Sequence, residues 1–163
     1  MPFDRTIDDT DRHILTILQN EARTSNAEIS RQVGMAASGV FERIRKLEES
    51  NVIGGYRAAI DSTSLGLGLL AFVFVKVEED IGSDRAGHQL ADIAGVQEVH
   101  HIAGEDCYLV KIRAADTESL GRMLREKFGA IPAVKSTRTT IVLQTLKESS
   151  TLPIPTGRDT HHD

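Results

Sequence analysis

The stretch ARTSNAEISRQVGMAASGVFERIRKLEESNVIGGY, Ala22 to Tyr56, sets two short helical patterns on either side of a glycine. Ser25 and Glu28 stand at capping-box spacing, so a helix should start at Ser25 with two backbone donors satisfied reciprocally. Ile29 and Val33 then face inward, and Gly34 can end the helix. A second pattern runs from about Ala37 to Glu49, with Val40, Ile44 and Leu47 as its buried stripe. Helix, glycine-containing turn and second helix make the helix-turn-helix pattern. With the stripe inward, Ser38, Gly39, Phe41, Glu42, Arg45 and Lys46 lie on the exposed side and Arg43 at its edge. Such a helix can enter the major groove with its N-terminal half near base edges. Arg43, Arg45 and Lys46 would then meet phosphates or guanines. Spacing alone fits a solvated basic face on an ordinary helical bundle equally well.

Outward from this pair, a preceding helix should begin near Asp8 and present Ile14, Leu15, Leu18 and Ala22 on one face. Asp8, Asp9 and Asp11 fall in its first turn, where the helix dipole favours negative charge. After the pair, NVIGGYRAAID reads as a turn and a short extended segment. From Leu65 the character changes. LLAFVFVKVEE, VQEVHHI, CYLVKIRA and VKSTRTTIVLQTL read as strands, and SDRAGHQLADIAG and DTESLGRMLREKFG as helices. The order β-α-β-β-α-β is the ferredoxin-like arrangement. The expected fold is therefore α+β: a winged helix-turn-helix over residues 1–60, then a ferredoxin-like βαββαβ unit over 61–148. Residues 149–163 form a polar, Pro-broken tail, expected to be loosely ordered and to hold His161 and His162 in solvent. The first strand is apolar on both faces. Leu70, Phe72 and Phe74 point one way; Ala71, Val73 and Val75 point the other. Two helices cover one face of a four-stranded sheet, so one of these rows should be buried between subunits.

The chain has 163 residues and a formal net charge of −5, which excludes a large phosphate-wrapping surface and leaves room for a small reading head. Its single cysteine, Cys107, cannot build a disulfide framework or a cysteine-based zinc site, and a cytoplasmic setting fits. The charged start MPFDRTIDDTDR has no apolar signal core. The longest apolar run, Leu65 to Val75, is too short to span a bilayer. His100 and His101 are neighbours on a strand and so face opposite sides, which is unsuited to a two-ligand metal site. No metal or cofactor is expected.

Several ordered segments resemble the Lrp/AsnC (feast/famine) family of transcription regulators. IDDTDRHILTILQNEARTSNAEISRQVG is similar to its opening. ERIRKLEESNVIGGYRAAID resembles the end of its reading helix and the strand after it. HHIAGEDCYLVKIR and VKSTRTTIVLQTLKE resemble two segments of its C-terminal domain. The resemblance covers roughly Ile7 to Lys147. It implies a helix-turn-helix that binds double-stranded DNA, joined to a ferredoxin-like domain that dimerises and often assembles further into octamers. It also implies that an amino acid or related small molecule binds between subunits near a glycine loop. By position, Gly104 matches the glycine of the family's Gly-x-x-Asp loop, and Thr137 and Thr139 match its Ser-Thr-x-Thr segment. The implied effector site is lined by Ala103, Gly104, Glu105, Asp106, Cys107, Thr137 and Thr139.

Two departures from the pattern matter. Ala36-Ala37 stands where the family usually has Ser-Pro, so the side-chain cap is lost unless Ser38 replaces it; such a loss costs about 1 kcal/mol. Cys107 stands at the loop's Asp position, and a thiol is a poor acceptor for a ligand ammonium. A rival reading is an enzyme, because some sirohaem decarboxylases share the two-domain architecture. Such an enzyme needs cationic and imidazole groups converging on a tetrapyrrole. His100, His101 and Arg113 are the candidates, and they form no clear constellation.

Overall fold

A computed structural model describes residues 6–155 and divides the chain into two compact units. One runs up to Ala58 and takes back the chain from Glu148 onward; the other is Ala59–Lys147. His161 and His162 lie outside the described residues.

The first unit is built on α1 (Asp9–Asn20), α2 (Asn26–Val33) and α3 (Ala37–Glu49). Its core is Ile14, Leu18, Ile29, Val40 and Leu47, with the half-buried Leu15, Val33 and Ile44 around them. Ala22 lies beyond the end of α1 and is exposed, so it plays no part in that stripe. Asp8 caps α1 by accepting from the Asp11 N–H at 2.8 Å. Ser25 caps α2 by accepting from the Glu28 N–H at 3.2 Å. The Glu28 carboxylate does not complete a capping box. It accepts from Gln32 Nε2 at 3.1 Å and pairs with Arg31. Gly34 ends α2 at φ 70°, in the left-handed region expected of it. No side chain caps α3: Ser38 does not replace the missing hydroxyl, and the Ala36 carbonyl takes the Gly39 and Val40 N–H groups at 2.9 and 3.1 Å.

After α3 the chain reverses at Asn51 (φ 56°), and the Ile53 N–H donates to Leu47 O at 3.0 Å. Among the described residues, 51–60 join no sheet, because the unit offers this segment no second strand. The expected loose tail also differs. Residues 150–155 line a groove of about 590 Å³ together with residues of α1 and the segment Val52–Arg57. The Gln19 side chain mimics a paired peptide: Oε1 accepts from the Leu152 N–H at 2.8 Å and Nε2 donates to Leu152 O at 3.1 Å. Arg12 Nη1 donates to Pro155 O at 3.0 Å. An extended segment interrupted by prolines can dock this way because these bonds use only one backbone N–H.

The second unit holds β1 (Leu69–Val77), α4 (Arg85–Ala91), β2 (Val96–His101), β3 (Tyr108–Ala114), α5 (Thr117–Met123) and β4 (Val134–Ile141). The sheet order is β2-β3-β1-β4 and every pairing is antiparallel. Ala71, Val73 and Val75 join Val110, Ile112, Leu90, Leu120 and Phe128 in the buried core. The Leu70, Phe72 and Phe74 row therefore faces the other side of the sheet. Asp116 caps α5 by accepting from the Ser119 N–H at 2.7 Å. Beyond α5, residues Leu124–Phe128 widen into a π-turn closed by Gly129 N–H to Leu124 O at 3.0 Å. A Cβ on Gly129 would lie 2.5 Å from Arg125 O, so glycine is what lets this turn close. The last strand is shorter than the apolar run suggests. It stops at Ile141 because β1, its only neighbour, starts at Leu69.

Candidate functional site

Helix α3 presents the arrangement its pattern predicts. Val40 and Leu47 are fully buried. Ser38, Phe41, Glu42, Arg45 and Lys46 are exposed, and Gly39, Arg43 and Ile44 are intermediate. Phe41, 54% exposed, is a large apolar side chain in the middle of a polar face. Gly39 is tight against Met35, whose Cε would lie 3.0 Å from a Cβ there.

The three basic residues differ in their surroundings. Arg43 Nη1 reaches back to α1 and meets Asp8 Oδ2 at 2.7 Å and Asp11 Oδ1 at 2.9 Å. Its pKa is raised, chiefly by the hydrogen bonds to Asp8 and Asp11. Arg45 is held along α3, with Nη2 on Glu42 at 2.8 Å and Nη1 on Glu49 at 2.5 Å. Glu42 is pushed below the ordinary glutamate range by the hydrogen bond and charge of Arg45. Lys46 stands exposed on the last turn.

Three anchoring residues carry roles that their position in the sequence does not reveal. Asp11 is 1% exposed and lies under Arg43. The Tyr56 hydroxyl donates to Glu48 Oε1 at 3.0 Å, and burial together with that carboxylate pushes its pKa up to about 12. Gln19 holds the returning segment. Only the acid-rich start of α1 gave a signal, and the helix dipole alone accounts for acids there.

In the second unit, the loop Ala103–Cys107 joins β2 to β3, with Gly104 at φ 142°. That backbone conformation is one side chains rarely adopt, so the loop's glycine is a conformational requirement. The Cys107 N–H donates to Val75 O at 3.0 Å and its Sγ donates to Val77 O at 3.6 Å, so the thiol is engaged with β1. Asp106 accepts from Arg138 Nη2 at 3.0 Å, and the Arg138 guanidinium lies 4.0 Å above the Phe74 ring. Thr137 and Thr139 pair with Val75 and Val73, while Arg138 pairs with Phe74. The two threonines therefore share the face of the Val73 row, and Asp106 reaches β4 on the opposite face. Cys107 and Thr137 flank the end of β1 from either side.

His100 pairs with Glu98 at 3.1 Å, whereas the His101 ring packs 5.1 Å from that of Tyr108. The two imidazoles lie on opposite faces, and Arg113 is on neither one's strand. Among the described residues no group of three His, Cys, Asp or Glu side chains could hold a metal ion. No helix there is long and apolar enough to cross a membrane.

A helix-turn-helix head followed by an antiparallel βαββαβ unit with a glycine loop is the architecture of a class of regulators that carry a DNA-binding and a ligand-binding domain on one chain, though not of that class alone. Residues 7–53 match the winged helix-turn-helix DNA-binding family, and residues 70–152 match the Lrp/AsnC ligand binding domain. The HTH-type transcriptional regulator FL11 of Pyrococcus horikoshii is 43% identical over 148 residues, covering 91% of this chain and 97% of that protein. The leucine-responsive regulatory protein of Escherichia coli K12 is 32% identical over 154 residues, covering 93% and 94%. The feast or famine regulatory protein Rv3291c from M. tuberculosis, solved with L-methionine, superposes with a TM-score of 0.84 at 31% identity, covering 92% of this chain and 100% of that one. The chain belongs to the Lrp/AsnC family of transcriptional regulators.

Proposed function

We propose that this protein binds double-stranded DNA through the exposed side of α3, as a homodimer that assembles further to an octamer, and that an amino acid or related small molecule tunes that binding. The observation that carries the reading is the split of α3. Its Val40 and Leu47 side is fully buried, while Ser38, Phe41, Glu42, Arg45 and Lys46 stand in solvent. Ser38 and Phe41, near the start, are placed for base edges and thymine methyl groups; Arg45 and Lys46, further along, for phosphates. Arg43 fastens α3 to α1. Gel-shift titration on the protein's own promoter tests this. Lys46→Ala should weaken binding to every duplex and Arg45→Ala binding to the promoter, each reducing the promoter salt slope by about 1. Unchanged promoter binding by the double variant would remove α3 as the reading helix.

The sheet row Leu70, Phe72 and Phe74 supports dimerisation, since the helices cover the opposite face. For the effector, two solved relatives are complexes with L-methionine. Here the loop Ala103–Cys107 and the threonines Thr137 and Thr139 are the candidate site. For an amino acid the amine partner is Glu105, or Asp106 once Arg138 releases it, because Cys107 supplies no charge; a ligand without a free amine needs neither. Calorimetry against an amino-acid panel should show binding that Asp106→Ala or Cys107→Asp alters. Indifference to both would move the site elsewhere. A role as regulator and not enzyme agrees with the names of the relatives and with His100 and His101 on opposite faces. A DNA partner fits a cytoplasmic setting.

A further inference from the structure

Arg45 lies midway along the exposed face of α3, and each of its terminal nitrogens donates to a carboxylate. Glu42, one turn before, takes Nη2 at 2.8 Å, and Glu49, one turn after, takes Nη1 at 2.5 Å. The three side chains are 46%, 51% and 58% exposed, so water and incoming anions can reach both pairs. A guanidinium gripped by two carboxylates uses the same donors it would present to phosphate oxygens. The i,i+4 pair with Arg45 offers Glu49 little helix stability, and its position works against even that. It sits in the last turn of α3, where the helix dipole disfavours negative charge.

We propose that Glu42 and Glu49 act as built-in substitutes for DNA phosphate: they occupy Arg45 and must release it before it can engage the backbone, which suppresses binding to non-cognate duplex. This rests on α3 being the DNA-reading helix. On bulk sequence the released carboxylates are left close to phosphates with nothing in return, and their mutual repulsion opposes binding. At a cognate site Glu42 can accept from the exocyclic amine of cytosine. Sequence-independent affinity comes almost wholly from phosphate charge, so it bears the full penalty. Glu42 and Glu49 are therefore positioning residues acting through Arg45.

The test uses the full-length protein, a random-sequence duplex and a promoter fragment, read by fluorescence anisotropy across a salt series. Glu42→Gln with Glu49→Gln should raise random-duplex affinity about five- to tenfold near 0.15 M salt. It should steepen the salt slope by about 0.9 for each further phosphate that the freed guanidinium neutralises. The ratio of promoter to random affinity should narrow. Adding Arg45→Ala to the same variant should cancel the increase. Exposed pairs of this kind contribute little to stability, so the melting temperature should not move, and Glu42→Gln alone provides a milder variant. An unchanged random-duplex affinity, or an equal increase when Arg45 is absent, overturns the proposal. Those results leave the reading of α3 standing as long as the promoter is bound. A wild-type protein that binds no duplex at any salt overturns that reading, and the proposal with it.

Discussion

Asp11 is a buried charge at the heart of the first unit, and Arg43 neutralises it across the helix boundary. Removing Arg43 takes a charged hydrogen-bond partner from that carboxylate, a change that costs about 1–3 kcal/mol. Arg43→Ala should therefore lower the melting temperature of the DNA-binding unit sharply by circular dichroism, whereas Arg45→Ala should barely shift it. On the proposed reading, loss of DNA binding in the first variant would report folding at least in part, and in the second contact. Asp8 adds a pH dependence. The Asp11 N–H, more than Arg43, holds its carboxyl below the ordinary aspartate value. A depressed folded pKa gives stability that is present above the unfolded value of about 3.9 and is lost as the pH falls through the folded one. Acid melts should show this loss in the wild type and less of it in Asp8→Asn. None of this was legible in the residue pattern. Periodicity placed Arg43 at the edge of a solvent face, but its partners lie 32 and 35 residues earlier on another helix.

Elements were legible where a repeat and a cap coincide. Asp8, Ser25, Gly34 and Asp116 all mark boundaries the chain keeps. The bare start of α3 was also readable, from Ala36-Ala37. Ala36→Ser should supply the missing acceptor and raise stability by about 1 kcal/mol in a urea titration, without changing the helix face. What stayed hidden depends on neighbours. The end of β4 is set by where β1 begins, and the π-turn Leu124–Phe128 by how Phe128 is seated in the core. Gly129→Ala brings a methyl against Arg125 O and should destabilise the second unit by about 1–3 kcal/mol.

For the whole molecule, composition and the order of elements carried the two-unit architecture, and the family resemblance carried the glycine loop. The sequence left open which face of β1 packs on the helices; the pairing of Val73 and Val75 with the core decides it. Phe72→Lys should then weaken self-association in sedimentation while leaving the fold intact. The docked segment from Ser150 to Pro155 was read as loose because polar composition does not reveal a side-chain amide acting as a strand partner. Gln19→Ala removes two hydrogen bonds to Leu152, about 1–2 kcal/mol, and should make residues 150–155 more accessible to protease.

That docking also has a temporal side. The unit that begins with α1 is completed by residues synthesised after the whole of Ala59–Lys147 has been made. Chains are made at about 5–20 residues per second, so the DNA-binding head waits several seconds for its last strip of packing. The three-helix core around Ile14, Ile29, Val40 and Leu47 can thus form before that strip exists.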